Sequence, residues 1–280
     1  WNLSGLTSDS TDALQMVALT DPGRSRSHNE DAVFADAALG IAVLADGMGG
    51  YSAGEVASGM ATTVLASNFA QYMPTHEVGN GPANGVAEAM QRIADEVSVA
   101  NLAIYNAAKG QPHYAGMATT LVIAWFYDNR MVVGHIGDSR LYLQRGNAFE
   151  QLTRDHSLLQ EQLDSGMISA EEARHSQNKN LVTRGLGVGP DVETEIHDYE
   201  LQAGDIVLLC SDGLTDMVED ADISLILKTQ GGDLTLAAEH LVQLANDNGG
   251  RDNISVILVK VMGEYASPRG WWQKLLARLK

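Results

Sequence analysis

Three apolar runs in this chain stop on an aspartate followed at once by a small residue: IAVLAD before Gly47, VVGHIGD before Ser139 and IVLLCSD before Gly213. Short apolar runs of this kind, bounded by turn residues, read as buried strands. A carboxylate at the end of such a strand sits where the chain leaves the core. One Asp-Gly pair is an ordinary turn dipeptide, because Asp caps its own backbone and Gly accepts positive φ. Here Asp46, Asp138 and Asp212 repeat the pattern, Asp252 stands just before the last apolar run, and Asp31 opens another. Rigid strands with carboxylates at their mouths can bring those carboxylates to one place. Like charges so gathered repel one another unless a cation neutralises them.

The rest of the chain suits such a scaffold. LQMVALTD (14–21), AVFADA and LGIAVLAD read as strands, with Ile41 to Ala45 buried on both faces. Helices are expected over 54–70, where Val56, Met60 and Val64 recur, and from Val86 through Met90, Ile93 and Val97 to Ile104. MATTLVIAWFYD, NRMVVGHIGD and SRLYLQRG form three β-rich runs separated by DN and GDS, the pattern of an antiparallel meander. Two more strands meet at Gly204-Asp205, followed by a helix over DLTLAAEHLVQLAND and a final strand, NISVILVKVM. Strands and helices come in blocks rather than in βαβ alternation, which favours an α+β fold of antiparallel sheets flanked by helices. Residues 1–13 are polar and aperiodic and read as a leader, with one domain over 14–263. Within it, residues 153–190 read as a polar surface excursion, a flap.

Composition narrows the chemistry. The chain has 36 acidic and 18 basic residues, a net charge of −18, which argues against nucleic-acid binding. Its single cysteine, Cys210, lies inside an apolar run and reads as a buried strand residue. One cysteine excludes an intramolecular disulfide and a Cys-rich zinc site, and fits a reducing, cytoplasmic compartment. Oxygen-only ligands suit a hard cation, Mg²⁺ or Mn²⁺. Two such ions about 3.5–4 Å apart can activate a bridging water and clamp a phosphate.

The motifs Arg26-x-x-Asn29-Glu30-Asp31, Ala45-Asp46-Gly47-Met48-Gly49-Gly50, Gly137-Asp138-Ser139-Arg140, Ser211-Asp212-Gly213-Leu214 and Arg251-Asp252-Asn253 occur in that order. Together they resemble the metal-dependent Ser/Thr protein phosphatases of type 2C, in the bacterial style, over nearly the whole chain. The resemblance implies two packed antiparallel β-sheets flanked by helices, a four-layer αββα sandwich, with two Mn²⁺ or Mg²⁺ ions in a cleft at one end. It implies that Asp46 bridges both ions, that the Gly47 carbonyl binds one, and that Asp212 and Asp252 bind the other. Glu30 and Asp31 would hold metal-bound waters, and Asp138 would join Asp212 at a third, weaker ion. Arg26 matches the phosphate-gripping Arg; Arg24 is a nearby competitor, but Arg26 lies five residues before Asp31, as in the family. The implied activity is hydrolysis of phosphoserine and phosphothreonine on proteins through a metal-bridging water, opposing a Ser/Thr kinase, by a monomeric enzyme. A catalytically weak phosphoprotein-binding regulator of the same fold, or another two-metal phosphoester hydrolase, are the alternatives.

Two departures stand out. Met48 occupies the position at which many eukaryotic relatives carry a His proposed as general acid, and Met cannot donate a proton; His28 and His156 lie near by. Ser176 follows His175 where the family's flap usually has Pro. Beyond the motifs, residues 264–280 form a basic amphipathic tail with Trp272, Leu275, Leu276 and Leu279 on one helical face. Such a tail suits an anionic membrane surface, a partner, or the acidic body of its own chain.

Overall fold

The computed structural model describes residues 5–50, 52–72, 85–169, 172 and 181–265. Twelve strands are described: β1 (Leu6–Ser10), β2 (Leu14–Asp21), β3 (Asp31–Asp36), β4 (Ile41–Met48), β5 (Ala118–Thr119), β6 (Leu121–Tyr127), β7 (Arg130–Ile136), β8 (Arg140–Arg145), β9 (Ala148–Gln151), β10 (Glu195–Glu200), β11 (Ile206–Cys210) and β12 (Ile254–Val261). The helices are α1 (Ala53–Tyr72), α2 (Val86–Gly110), α3 (Leu158–Asp164), α4 (Asp212–Thr215), α5 (Asp220–Gln230) and α6 (Leu234–Asp247). One sheet has the order β1-β2-β12-β11-β8-β9; the other runs β10-β7-β6-β4-β3, with β5 paired to β4. Every pairing is antiparallel.

Alternation along the strands explains the layering. Met16 and Ala18 of β2 pack with Ala42 and Leu44 of β4 between the sheets. Their neighbours Val17 and Leu19 face outward onto α5 and α6, while Ile41, Val43 and Ala45 face α1 and α2. Both sheets are therefore covered on both faces, which is why Ile41–Ala45 reads as an unbroken apolar run. Trp125 anchors the α1 side, meeting Phe69 edge-on at 5.2 Å between ring centroids. The result is the expected α+β sandwich of two antiparallel sheets between helical layers.

Three expectations need correction. The three β-rich runs are not one meander. β6 and β7 do form a hairpin, with Asp128 and Asn129 both at positive φ as a two-residue turn demands. β8, however, belongs to the other sheet. The chain crosses between sheets at Gly137-Asp138-Ser139, with Gly137 at φ 104 and no room for a side chain against Thr120. A GDS tripeptide signals a tight reversal but not which sheet receives the next strand. Secondly, Leu6–Ser10, inside the expected leader, forms edge strand β1 against β2. Its side chains are largely exposed, so no apolar alternation marks it. Thirdly, the flap expected over 153–190 is narrower. Thr153, His156, Ser157 and Leu186 are buried, and Leu186 bridges Thr119. Between these anchors, α3 begins where Ser157 caps the Gln160 N–H. Ser176 and the basic tail over 266–280 lie outside the described residues.

Candidate active site

Both sheets deliver carboxylates to the same end. β3 and β4 are in register with Asp31 opposite Asp46. From the facing sheet, β11 ends at Cys210 and α4 starts on Asp212, while Asp252 lies two residues before β12. Asp138 sits in the crossover between them. The cleft so formed has a volume of about 420 Å³ and is lined by Arg26, Glu30, Asp46, Gly47, Asp138, Asp212 and Asp252, together with Met48, Gly49, Thr120, Leu181, Val182 and Asn253. Of the residues expected to bind metal, metal-bound water or phosphate, only Asp31 does not line it; Asp31 lies behind, buried.

Burial at the ends of apolar strands dominates the electrostatics. It pushes Asp46 and Asp212 well above the ordinary carboxylate range, and neighbouring carboxylates push them further. Asp31 rises to about 6, through burial and despite hydrogen bonds from serine. Asp138 rises to about 6 as well, through burial and then the nearby Asp155. Burial also raises Glu30. Among the described residues, no Lys or Arg forms an ion pair with Asp31, Asp46, Asp138 or Asp212. Ser211 Oγ donates to Asp31 Oδ2 at 2.9 Å, while Asp31 Oδ1 is buried with no hydrogen-bond partner among the described residues. Clustered buried carboxylates, an orphaned oxygen and an all-oxygen donor set fit a hard divalent cation.

The supporting bonds were less legible. Asp46 is held through its backbone: its N–H donates to Thr120 Oγ1 at 3.0 Å, and its carbonyl accepts from the Thr120 N–H at 2.8 Å and Thr119 Oγ1 at 2.9 Å. Gly47 is required by close approach, since a Cβ there would run into the Gly54 and Glu30 carbonyls. Asn253 ties the loop over 22–30 to β12: Nδ2 donates to the Pro22 and His28 carbonyls, and Oδ1 accepts from the Glu30 N–H at 2.8 Å. Asn253 was visible only as the third letter of R-D-N. Thr119 and Thr120 were visible as a polar pair inside an otherwise apolar stretch.

The remaining candidates separate cleanly. Arg26 Nη2 donates to Asp252 Oδ2 at 2.6 Å at the cleft. Arg24 turns away, to the Asn246 carbonyl and Asp247. Met48 lines the cleft, whereas neither His28 nor His156 does. His156 bonds Gly137 and Glu195 instead. Cys210 is fully buried, its thiol pushed up to about 12 by burial, and is structural.

Comparison with known proteins now bears on this geometry. The family model described as "Protein phosphatase 2C" matches residues 23–252. The chain belongs to the protein phosphatase 2C family. Within this family it is 40% identical over 244 residues to a serine/threonine phosphatase, stp, of Listeria innocua, covering 86% of this chain and 93% of the relative. It is 37% identical over 258 residues to protein phosphatase PhpP of Streptococcus pneumoniae, covering 90% of this chain and all of the relative. Among solved structures, the serine/threonine phosphatase PstP/Ppp of Mycobacterium tuberculosis superposes with a TM-score of 0.80 at 36% identity, covering 89% of this chain and 99% of that one. A second neighbour, the catalytic domain of the serine/threonine protein phosphatase PstP in complex with two manganese ions, superposes at 0.77 with 37% identity and the same coverage. Among the described residues, no helix is long and apolar enough to cross a membrane.

Proposed function

We propose that this 2C-family chain is a metal-dependent protein phosphatase that hydrolyses phosphoserine and phosphothreonine on proteins, opposing a Ser/Thr kinase. The observation that carries the reading is the convergence on one cleft of Asp46, Asp138 and Asp212, buried or half-buried and paired with no Lys or Arg among the described residues. Asp46 and the Gly47 carbonyl would hold one Mn²⁺ or Mg²⁺, and Asp46, Asp212 and Asp252 a second. Asp138 with Asp212 would serve a third, weaker ion, and Glu30 and Asp31 would orient water. When bound, such ions supply a water acidic enough to attack at neutral pH and neutralise phosphate charge.

The chain's own residues do the rest. Arg26 contacts Asp252 through one nitrogen, Nη2, so part of its guanidinium stays available to grip two phosphate oxygens. The Thr120 clamp on Asp46 and the Asn253 clamp on the loop over 22–30 fix those groups before substrate arrives, so little reorganisation remains. Leu181 and Val182 wall the cleft, which supports reading the expected flap as a determinant of substrate access. We read the chain as a cytoplasmic monomer and its basic tail as a docking element for a membrane surface or partner.

Phosphate release from a phosphothreonine peptide tests the reading. Turnover is expected with Mn²⁺, none with EDTA, and none for Asp212→Ala. Metal-independent turnover sinks it; no release from any phosphopeptide leaves the phosphoprotein-binding alternative.

A further inference from the structure

Behind the cleft wall, the segment after β9 zips onto the crossover that carries Asp138. Leu141 N–H donates to Thr153 Oγ1 at 3.0 Å, and Arg140 grips Asp155 through both Nε and Nη2. His156 closes the zip twice. Its backbone N–H donates to the Gly137 carbonyl at 2.8 Å, and its Nδ1 accepts from the Gly137 N–H at 3.2 Å. Gly137 directly precedes Asp138 and adopts φ 104, so its two peptide groups set where the Asp138 carboxylate is aimed.

The imidazole is itself held. His156 Nε2 lies 3.2 Å from Glu195 Oε2, and Glu195 Oε1 lies 2.8 Å from His197 Nε2. Because Nδ1 accepts from an amide, a neutral His156 carries its proton on Nε2 and donates it to Glu195. Burial pulls the Glu195 carboxyl up, but the hydrogen bonds to His197 and His156 outweigh it and leave Glu195 below the ordinary range. On the other face, His135 stacks on the His156 ring at 4.7 Å and points Nε2 at the Arg154 carbonyl, 2.8 Å away.

His135, His156 and Glu195 have the composition of a metal site, with donor atoms within 4.8 Å of one another. The hydrogen bonds argue for another role. The Nε2 proton of His156 stands where a cation would have to bind, and removing it means either an imidazolate or loss of the Gly137 contact.

We propose that His156 is a positioning residue for Asp138, clamping Gly137 on both of its peptide groups while Glu195 fixes the imidazole. This rests on the phosphatase reading, in which Asp138 serves the weakest-bound ion. The relay runs from edge strand β10 through His156 to Asp138, and none of Glu195, His156 and Gly137 lines the cleft.

Calorimetric titration of the full chain with Mn²⁺, beside the Mn²⁺ dependence of phosphate release, tests it. His156→Ala is expected to weaken the last, weakest binding event at least tenfold and to shift the activity curve to higher Mn²⁺ by the same factor. Tight binding of the first ions stays within twofold. His156→Asn supplies an acceptor at the place of Nδ1 and should keep the weak event within about threefold of wild type. His156→Gln reaches towards Glu195 but leaves the Gly137 N–H without its acceptor, and should behave like the alanine variant. If His156→Ala does not fold, the Asn and Gln pair carries the test alone. Equal isotherms for Asn and Gln, or a wild-type isotherm for the alanine variant, overturn the proposal. So does a Mn²⁺ or Zn²⁺ ion bound by His135, His156 and Glu195 themselves, seen as a site that survives Asp138→Asn and is lost in Glu195→Gln. A wild-type chain without phosphatase activity that still shows the His156-dependent weak site would instead sink the phosphatase reading and leave this one standing.

Discussion

Two groups of acids in the same sandwich are treated in opposite ways. Away from the cleft, the buried Asp205 accepts from Arg145 Nε at 2.9 Å and Nη2 at 2.6 Å, Asp198 is gripped by Arg130, and Asp155 by Arg140. At the cleft, Asp31 and Asp138 are buried and Asp46 and Asp212 half-buried, yet none pairs with a Lys or Arg among the described residues, and neighbouring carboxylates push all four upward. A buried acid that serves the fold is given a cation from the chain. A buried acid left without one makes the fold less stable by itself and creates a place for a cation from solution. Net charge does not reveal this; only the pairing does.

Substituting one member of each group should therefore move activity and stability in opposite directions. Asp46→Asn is expected to cut metal-dependent phosphate release about a thousandfold. The same change should raise the Tm of the metal-free protein, because it removes one of several repelling buried charges. Arg145→Ala should do the reverse: turnover unchanged, stability lower by about 3 kcal/mol, because Asp205 is left buried and uncompensated. Thermal melts in EDTA and an activity assay check both. An Asp46→Asn protein that melts lower without metal would break the contrast.

The cleft acids were legible in sequence and their opposite numbers were not, for a physical reason. Asp46 and Asp212 each follow an apolar run and precede Gly, so local pattern places them at strand mouths. Asp205 and Asp198 carry no such mark, since their arginine partners Arg145 and Arg130 lie 60 and 68 residues away. Helices α1, α2 and α6 were legible from their period, and the hairpin from Asp128-Asn129, whereas α4 and α5 were not marked. Sheet membership was not: Gly137-Asp138-Ser139 and Gly204-Asp205 both look like reversals, yet each carries the chain from one sheet to the other. Asn253 escaped because one side chain closing a loop through three bonds has no periodic signature.

The pH dependence of stability sharpens the same contrast at a smaller scale. Asp31 and Asp138 move from an ordinary 3.8 to about 6 in the folded chain, and Asp46 and Asp212 move upward as well. The folded state therefore holds protons that the unfolded state has released. Metal-free stability is greatest, so far as these groups decide it, near the unfolded value and falls as pH rises through the folded one. The expected loss between pH 4.5 and pH 7 is on the order of 2 kcal/mol. Saturating Mn²⁺ should flatten the slope, since a divalent ion takes the protons' place. Denaturant melts across that range, with and without metal, decide it; a metal-free Tm that rises with pH contradicts the assignment.

Arg26 is the residue where the two treatments meet. It is an arginine at the cleft, and it pairs with an acid as Arg145 does. The pair differs in kind, however. Its Arg26 side chain is 53% exposed against 38% for Arg145, and it uses Nη2 alone where Arg145 uses Nε and Nη2. A one-sided, solvated contact contributes little to stability and is easily exchanged for a phosphate. Asp252 raises the Arg26 pKa through the hydrogen bond and its charge, so the guanidinium stays cationic throughout the working range. Arg26→Lys keeps the charge but loses the fork that matches two phosphate oxygens. The expected outcome is a KM for phosphopeptide raised about tenfold with kcat changed less, and a stability within about 0.5 kcal/mol of wild type. A fall in stability like that of Arg145→Ala would place Arg26 with the structural arginines, whereas a rise in KM alone would place it with the substrate.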